Sequence, residues 1–313
     1  MKTISLVVPC YNEEPTIEIF YNTVEKVIAD NAAAFEGVDH EYVFVNDGSS
    51  DGTLNVFRQL NTAHPDTVHY VSFSRNFGKE AGLLAGLQHT TGDYVAVMDV
   101  DLQDPPELLP KMLTMLQTDE YDCIGTMRED RAGEPFIRSF LSRSFYSVVN
   151  KISKVQIIPN ARDYRLMTRQ MVDAILAMPE ANRFSKGIFN WVGFRTTYLK
   201  FENQPRSAGE THWSIWQLFD YSIDAIVDFS DVPLKIATFT GGLLSFASII
   251  SIFVVIIRKL IFNNSASGWA SLVTILLLIG GIQLFCLGII GNYIGKIYIE
   301  TKHRPHYIVQ EEK

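Results

Sequence analysis

Two uncharged runs near the C-terminus limit what this chain can be more than any other feature. From Ile236 to Ile257, and again from Leu260 to Gly295, there is no Asp, Glu, Lys or Arg. The first run and the Ala270–Ile294 part of the second are each long enough to cross a hydrocarbon core of about 30 Å as a helix. We expect two transmembrane helices, about 236–257 and 270–294, joined by the turn Arg258–Trp269. Such a hairpin returns the chain to its starting side, so the N-terminal region and the tail share a compartment. Lys235, Lys296, Lys302 and Arg304 flank the membrane there, against Arg258 and Lys259 in the turn. The positive-inside rule therefore puts the N-terminal region in the cytoplasm. Lys2 is followed by only a brief apolar run before Pro9 and the Glu13-Glu14 pair, which is not the pattern of a signal peptide.

The rest of the chain, residues 1–230, reads as a single soluble unit. The formal charge is −8 over 313 residues, but residues 234–313 hold seven basic and three acidic side chains. Setting those aside leaves 20 basic and 32 acidic residues, a net of −12, which argues against a nucleic-acid partner. Cys10, Cys123 and Cys286 are far apart, and the seven His show no ligand spacing, so neither a disulfide framework nor a zinc site is expected.

Ile4–Val8 is a short apolar run stopped by Pro9, as a buried parallel strand would be. A helix is expected over about Thr16–Asn31, where Ile17, Phe20, Val24 and Val27 or Ile28 recur at helical spacing. Tyr42–Val45 reads as the second strand and breaks at the capping-rich turn Asn46–Thr53. Val68–Phe73, a helix near Lys79–His89 and Tyr94–Met98 repeat the alternation, which predicts an α/β doubly wound sheet. Beyond Pro106 the pattern is irregular. Pro135–Ser153 sets Phe136, Phe140, Phe145 and Ile152 among Arg138, Arg143 and Lys151, and Trp213–Phe229 is similarly two-faced. Each reads either as a helix lying in the membrane interface or as an ordinary helix packed on the soluble core; their place before the hairpin favours the interface.

Asp99 and Asp101 follow the apolar strand that ends near Met98, at the carboxyl end of a buried strand, where open α/β sheets bind ligands. Successive strand side chains point opposite ways, so the two carboxylates meet one ion only if the chain leaves the strand between them. Asp104-Pro105-Pro106 makes that exit. A few hard oxygens completed by substrate phosphates suit Mg²⁺ or Mn²⁺ and point to a nucleoside diphosphate. The competing reading is a solvated acidic turn with Asp104 as a helix N-cap and Pro105 at the first helical position.

Taken in order, Val8–Glu14, Val45–Thr53, Ser74–Glu80, Asp99–Pro106, Asp163-Tyr164-Arg165-Leu166 and the C-terminal hairpin resemble the membrane-anchored polyprenyl-phosphate glycosyltransferases of the inverting GT-A class, which include bactoprenol glucosyltransferases and dolichyl-phosphate mannose synthases. The resemblance implies a GT-A catalytic domain over 1–230 and a two-helix anchor with a short cytoplasmic tail over 231–313. It implies that Pro9, Tyr11 and Glu13 line a nucleotide pocket and that Asp47 accepts the uracil N3–H; as an Asx-turn residue Asp47 would also shape its own loop. Asp99 is then expected near the ribose and the metal, and Asp101, with Gln103, holds the cation. Asp163 resembles the family's base or acceptor-orienting carboxylate, the plain alternative being a structural partner for Arg162 or Arg165.

An anionic acceptor needs cations. Arg128, Arg138 and Ser142 match residues that hold the lipid phosphate in this family, with Arg131 an alternative to Arg128. Arg206 and Gly209-Glu210-Thr211 resemble a mobile loop over the donor, although His212-Trp213 stands where Lys-Tyr is usual. The implied reaction transfers a hexose, glucose before other sugars, from a UDP-sugar to undecaprenyl phosphate at the plasma membrane. The glycine pairs Gly241-Gly242 and Gly280-Gly281, with Gly288 and Gly291, offer close-packing surfaces for a homo-oligomer. A GDP-mannose- or UDP-N-acetylglucosamine-dependent homologue is the alternative within the class. A processive synthase would need a Gln-x-x-Arg-Trp motif and more membrane helices, and a flippase would leave Asp99 and Asp101 without purpose.

Overall fold

The computed structural model describes residues 1–129, 150, 156, 158–178, 180–202, 230–262 and 268–313. Among them an eight-stranded sheet runs in the order β7-β5-β6-β4-β1-β2-β3-β8. The strands are β1 (Lys2–Cys10), β2 (Val38–Asn46), β3 (Val68–Phe73), β4 (Tyr94–Val97), β5 (Cys123–Arg128), β6 (Ala161–Thr168), β7 (Thr196–Phe201) and β8 (Val309–Glu312). The soluble helices are α1 (Glu14–Asp30), α2 (Thr53–Ala63), α3 (Lys79–Gln88), α4 (Leu109–Leu116), α5 (Arg169–Leu176) and α6 (Ser185–Trp191).

The first four strands pair in parallel, with helices crossing between them, as the alternating apolar runs require. Their side chains are buried on both faces. On one face Phe20, Phe44 and Phe57 pack with ring centroids 6.5 and 5.0 Å apart; on the other, α3 lies directly on the sheet. Gly86 allows that approach, because a Cβ there would stand 2.2 Å from a Val7 methyl. The second half departs from the parallel pattern: β6 is antiparallel to both β4 and β5. Its register pairs Val97 with Arg165. Asp99 lies two residues past that pair on the β4 side, and Asp163 two residues before it on β6.

The two apolar runs lie inside longer helices, α7 (Val232–Phe262) and α8 (Trp269–Thr301). The connection is therefore shorter than the expected Arg258–Trp269. At 1.5 Å per residue each helix exceeds a bilayer core. The most apolar windows, Val232–Ser251 and Leu278–Thr301, are 6% and 0% buried within the protein. Such bare surface, with Phe239, Phe246, Leu284 and Phe285 all more than 60% exposed, needs lipid or another chain to cover it. The helices run antiparallel: Tyr293 donates its hydroxyl to the Ser230 carbonyl at 2.6 Å, and Cys286 approaches the Ala237 carbonyl at 3.8 Å.

The short tail has structure of its own. After α8 the chain returns to the soluble unit, where β8 adds an antiparallel edge strand to β3. The expected interfacial segments 135–153 and 213–229 lie outside the described residues, apart from Asn150.

Candidate active site

The carboxyl ends of β1 and β2 are adjacent because Cys10 pairs with Asn46, and the loops that follow interlock. Asn12, at φ +56°, donates its amide to Ser49 Oγ and accepts the Ser50 amide on Oδ1, both at 2.9 Å. Glu13 donates its amide to Thr53 Oγ1 at 3.0 Å, and its carboxylate accepts the Thr16 hydroxyl at 2.8 Å. Glu13 thus braces the start of α1. Pro9 lies against α3, with 3.3 Å from its Cβ to where a Cβ would stand at Gly82. Tyr11 remains 49% exposed, its ring available for stacking.

Asp47 is 5% exposed, and its two carboxylate oxygens accept the backbone amides of Phe77 and Gly78 at 2.6 and 2.9 Å. Desolvation pushes its carboxyl up, and the two amides only partly offset that. The local Asx turn expected of Asp47 is made by its neighbour instead, since Asn46 Oδ1 accepts the Ser49 amide at 2.9 Å. Gly48 is required at φ +63°: a Cβ there would stand 2.2 Å from the Arg75 carbonyl carbon. Asp47 therefore ties the β2 turn to the segment that opens α3.

That segment places Lys79 at the centre of the site. Its Nζ lies 2.8 Å from Asp99 Oδ1 and 2.6 Å from Asp163 Oδ2. Burial alone would push the Asp163 carboxyl up, but Lys79, with Lys186 and Arg165 beyond it, holds it well below the usual carboxylate range. Burial would likewise lower the Lys79 ammonium, and the two carboxylates raise it instead. The plain alternative for Asp163, a structural pair with Arg162 or Arg165, is not what forms: its side-chain partner is Lys79. Arg165 is 2% exposed, donates to the backbone carbonyls of Asp163 and Arg162, and stacks its guanidinium 3.7 Å over the Phe189 ring.

β4 ends at Val97 and the chain leaves the strand before Asp101, as a shared site for the two carboxylates demands. Leu102 turns at φ +56°, and the Gln103 amide donates to Asp101 Oδ1 at 3.1 Å. Asp104 is not an N-cap. Pro105 precedes the short helix Pro106–Leu108 without a side-chain cap, while Asp104 is 2% exposed and accepts Arg162 Nε at 2.7 Å. Arg162 also stands 3.9 Å from Asp99. Gln103 offers its carbonyl oxygen to Arg128 at 3.1 Å, which brings a residue expected at the lipid phosphate against one expected at the metal.

Among the described residues no three His, Cys, Asp or Glu side chains form a metal cluster. Two carboxylates on one turn nevertheless fit a cation that takes few protein ligands and completes its shell with diphosphate oxygens. Arg138, Ser142, Arg131 and Arg206 lie outside the described residues.

The sequence reading assigned no role to Lys79, Glu80, Ser185 or Lys186. A signal was present: a lysine opening a helix opposes the helix dipole, and a chain keeps such a residue where carboxylates hold it.

A sheet that gathers Asp47, Asp99 and Asp101 just past the carboxyl ends of β2 and β4, and Asp163 near the amino end of the antiparallel β6, ahead of an apolar hairpin, defines a membrane-associated glycosyltransferase of the GT-A class. The chain belongs to glycosyl transferase family 2, which it matches over residues 5–176, and residues 232–297 match the GtrB C-terminal hairpin. It is 41% identical to the putative glycosyltransferase CsbB of Bacillus subtilis, over 98% of this chain and 91% of that protein. It is 40% identical to the bactoprenol glucosyl transferase of Shigella phage SfV and 41% identical to a prophage bactoprenol glucosyl transferase homolog of Escherichia coli, in each case over 99% of both chains.

Proposed function

We propose that this chain transfers one glucose from UDP-glucose, with inversion at C1, to undecaprenyl phosphate at the cytoplasmic face of the plasma membrane. The observation that carries the reading is the reach of the likeness to bactoprenol glucosyl transferases: 40% identity over 99% of both chains, together with a match of residues 232–297 to the GtrB C-terminal hairpin. The reading takes Tyr11, Pro9, Glu13 and Asp47 as the uridine pocket, and Asp99 and Asp101, joined by Gln103 if it releases Arg128, as the ligands of Mg²⁺ or Mn²⁺. The bound cation supplies Lewis-acid stabilisation of the charge that grows on the departing UDP.

The acceptor phosphate is already ionised, so no strong base is needed. An aspartate whose proton affinity is as depressed as that of Asp163 is a poor base and a good fixed charge. In this reading Asp163, with Lys79 beside it, orients the acceptor at the sugar C1. Arg128, Arg138 and Ser142 hold the lipid phosphate through charge-assisted contacts, and Arg206 closes over the donor. Orientation rests on the basic flank of Lys235, Lys296, Lys302 and Arg304, and a second copy is assigned to the glycine-bearing helix faces, where no heavy atom lies within 4 Å of a Cβ built at Gly241, Gly242, Gly280, Gly281, Gly288 or Gly291.

The donor is tested by competition. Purified protein, undecaprenyl phosphate and equimolar labelled UDP-glucose, UDP-galactose and UDP-N-acetylglucosamine should yield mostly glucosyl lipid. Preference for the acetamido sugar, or for GDP-mannose in a parallel reaction, overturns the donor assignment.

A further inference from the structure

The segment after the second membrane helix touches the donor site by two separate routes, both ending at the N-terminus of α3. The first is aromatic. Tyr307 stacks on Phe73 at 4.7 Å between centroids with 19° between ring planes, and Phe73 meets Phe77 edge-on at 5.8 Å. Phe77 is the residue whose amide Asp47 holds. The strand pairing reinforces this contact: the Ser74 amide donates to the Ile308 carbonyl at 3.0 Å, and the β3–β8 register shifts between Ser72 and Phe73. Tyr307 itself is anchored on α3, its hydroxyl donating to Gln88 Oε1.

The second route is polar. Glu300, in the last turn of α8, accepts the Ala181 amide at 2.7 Å. That short loop leads into α6, where the Ser185 amide and hydroxyl both donate to Glu80, the residue after Lys79. Burial pushes the Glu80 carboxyl up, so its hold on Ser185 is one of the few interactions that offset the cost of placing it there.

Gly78 enters α3 at φ +96°, which glycine allows, with its amide held by Asp47; Tyr307 reaches the flanking residues through Phe73 and Phe77, and α6 reaches them through the Ser185–Glu80 pair. We propose that residues 300–313 are part of the donor-binding machinery, with Tyr307 and Glu300 as positioning residues that hold the Phe77–Glu80 turn in its nucleotide-binding form and tie it to the membrane helix.

This rests on the assignment of the Asp47 pocket to the nucleotide, and UDP binding to the unaltered protein in lipid nanodiscs tests that assignment separately. Given wild-type binding, calorimetry on Tyr307→Ala should show UDP affinity about three- to tenfold weaker, with the KM for undecaprenyl phosphate unchanged. Tyr307→Phe, which keeps the stack and loses only the hydroxyl contact, should restore it. Glu300→Ala, which removes the acceptor of the Ala181 amide, should weaken UDP binding by the second route in a protein whose aromatic stack is intact. Wild-type UDP affinity in Tyr307→Ala overturns the proposal, and so does an equal loss of UDP and lipid-phosphate affinity, which would mark general loosening of the domain.

Discussion

Lys79 Nζ lies 2.6 Å from Asp163 Oδ2, an ion pair made possible by the antiparallel pairing of β6 with β4. The same ammonium reaches Asp99 at 2.8 Å, so one lysine neutralises carboxylates from two strands that would otherwise repel across the sheet. Its position at the start of α3 makes the ion pair depend on the turn that Asp47 holds.

Lys79→Met should therefore lower turnover strongly and destabilise the domain by about 1–3 kcal/mol, less than a fully buried pair would lose because the Lys79 side chain is 47% exposed. Lys79→Met combined with Asp163→Asn should recover part of the stability and none of the activity. A double-mutant cycle of denaturant midpoints measures the coupling, and strict additivity contradicts the ion pair.

Arg162 makes a different kind of contact, to an aspartate only 2% exposed. Removing one partner strands a buried charge, so Arg162→Met should cost about 3–5 kcal/mol, and the double change with Asp104→Asn distinctly less. Thermal unfolding with and without UDP reads both values. A loss below about 1 kcal/mol would show that Asp104 is satisfied by other groups.

UDP binding should weaken on acidification. The raised pKa of Asp47 means that it takes up a proton at a pH above the ordinary aspartate value of about 3.9, and a protonated carboxyl holds the Phe77 and Gly78 amides less well. Affinity is therefore full above that pKa and lost as pH falls through it. Asp47→Asn should bind weakly at every pH and show no such titration. Calorimetry across pH 4–7 checks this, and a flat wild-type profile contradicts it.

Chelating divalent cations should stop turnover reversibly, and Asp101→Ala should stop it permanently while leaving the protein folded, with a stability loss of about 1 kcal/mol or less, since the half-buried Asp101 side chain accepts the Gln103 amide from its own turn. Near-normal activity in either case rules out the metal-assisted route.

The parallel half of the sheet was legible because its strands are short apolar runs bounded by Pro9, Asn46 and Asp99, and a strand buried on both faces has no other way to look. The antiparallel half was not. β5, β6 and β7 are edge-ward strands whose pairing partners are distant in sequence, and β6 contributes Asp163 only through a register that no local pattern encodes. Asp99 and Asp101 stand out in the sequence by their spacing at a strand end, and Asp47 by the family resemblance of its turn. Lys79 opposes the dipole of the helix it opens, but its partners come from two other segments and no local pattern names them; the competing reading of Asp104 as an N-cap fails because a buried ion pair with Arg162 takes its carboxylate instead. Nothing in the sequence marks the short tail as a strand, yet Glu311 is held by Arg58 and Tyr70, and the Lys313 backbone pairs with Tyr70.

The most direct test of the central claim is the mass and anomeric configuration of the lipid product made by purified protein from UDP-glucose and undecaprenyl phosphate. The account predicts a single species, one hexose per lipid phosphate, with the anomeric configuration opposite to that of the donor. A ladder of longer saccharides, or retention of the donor configuration, would contradict it.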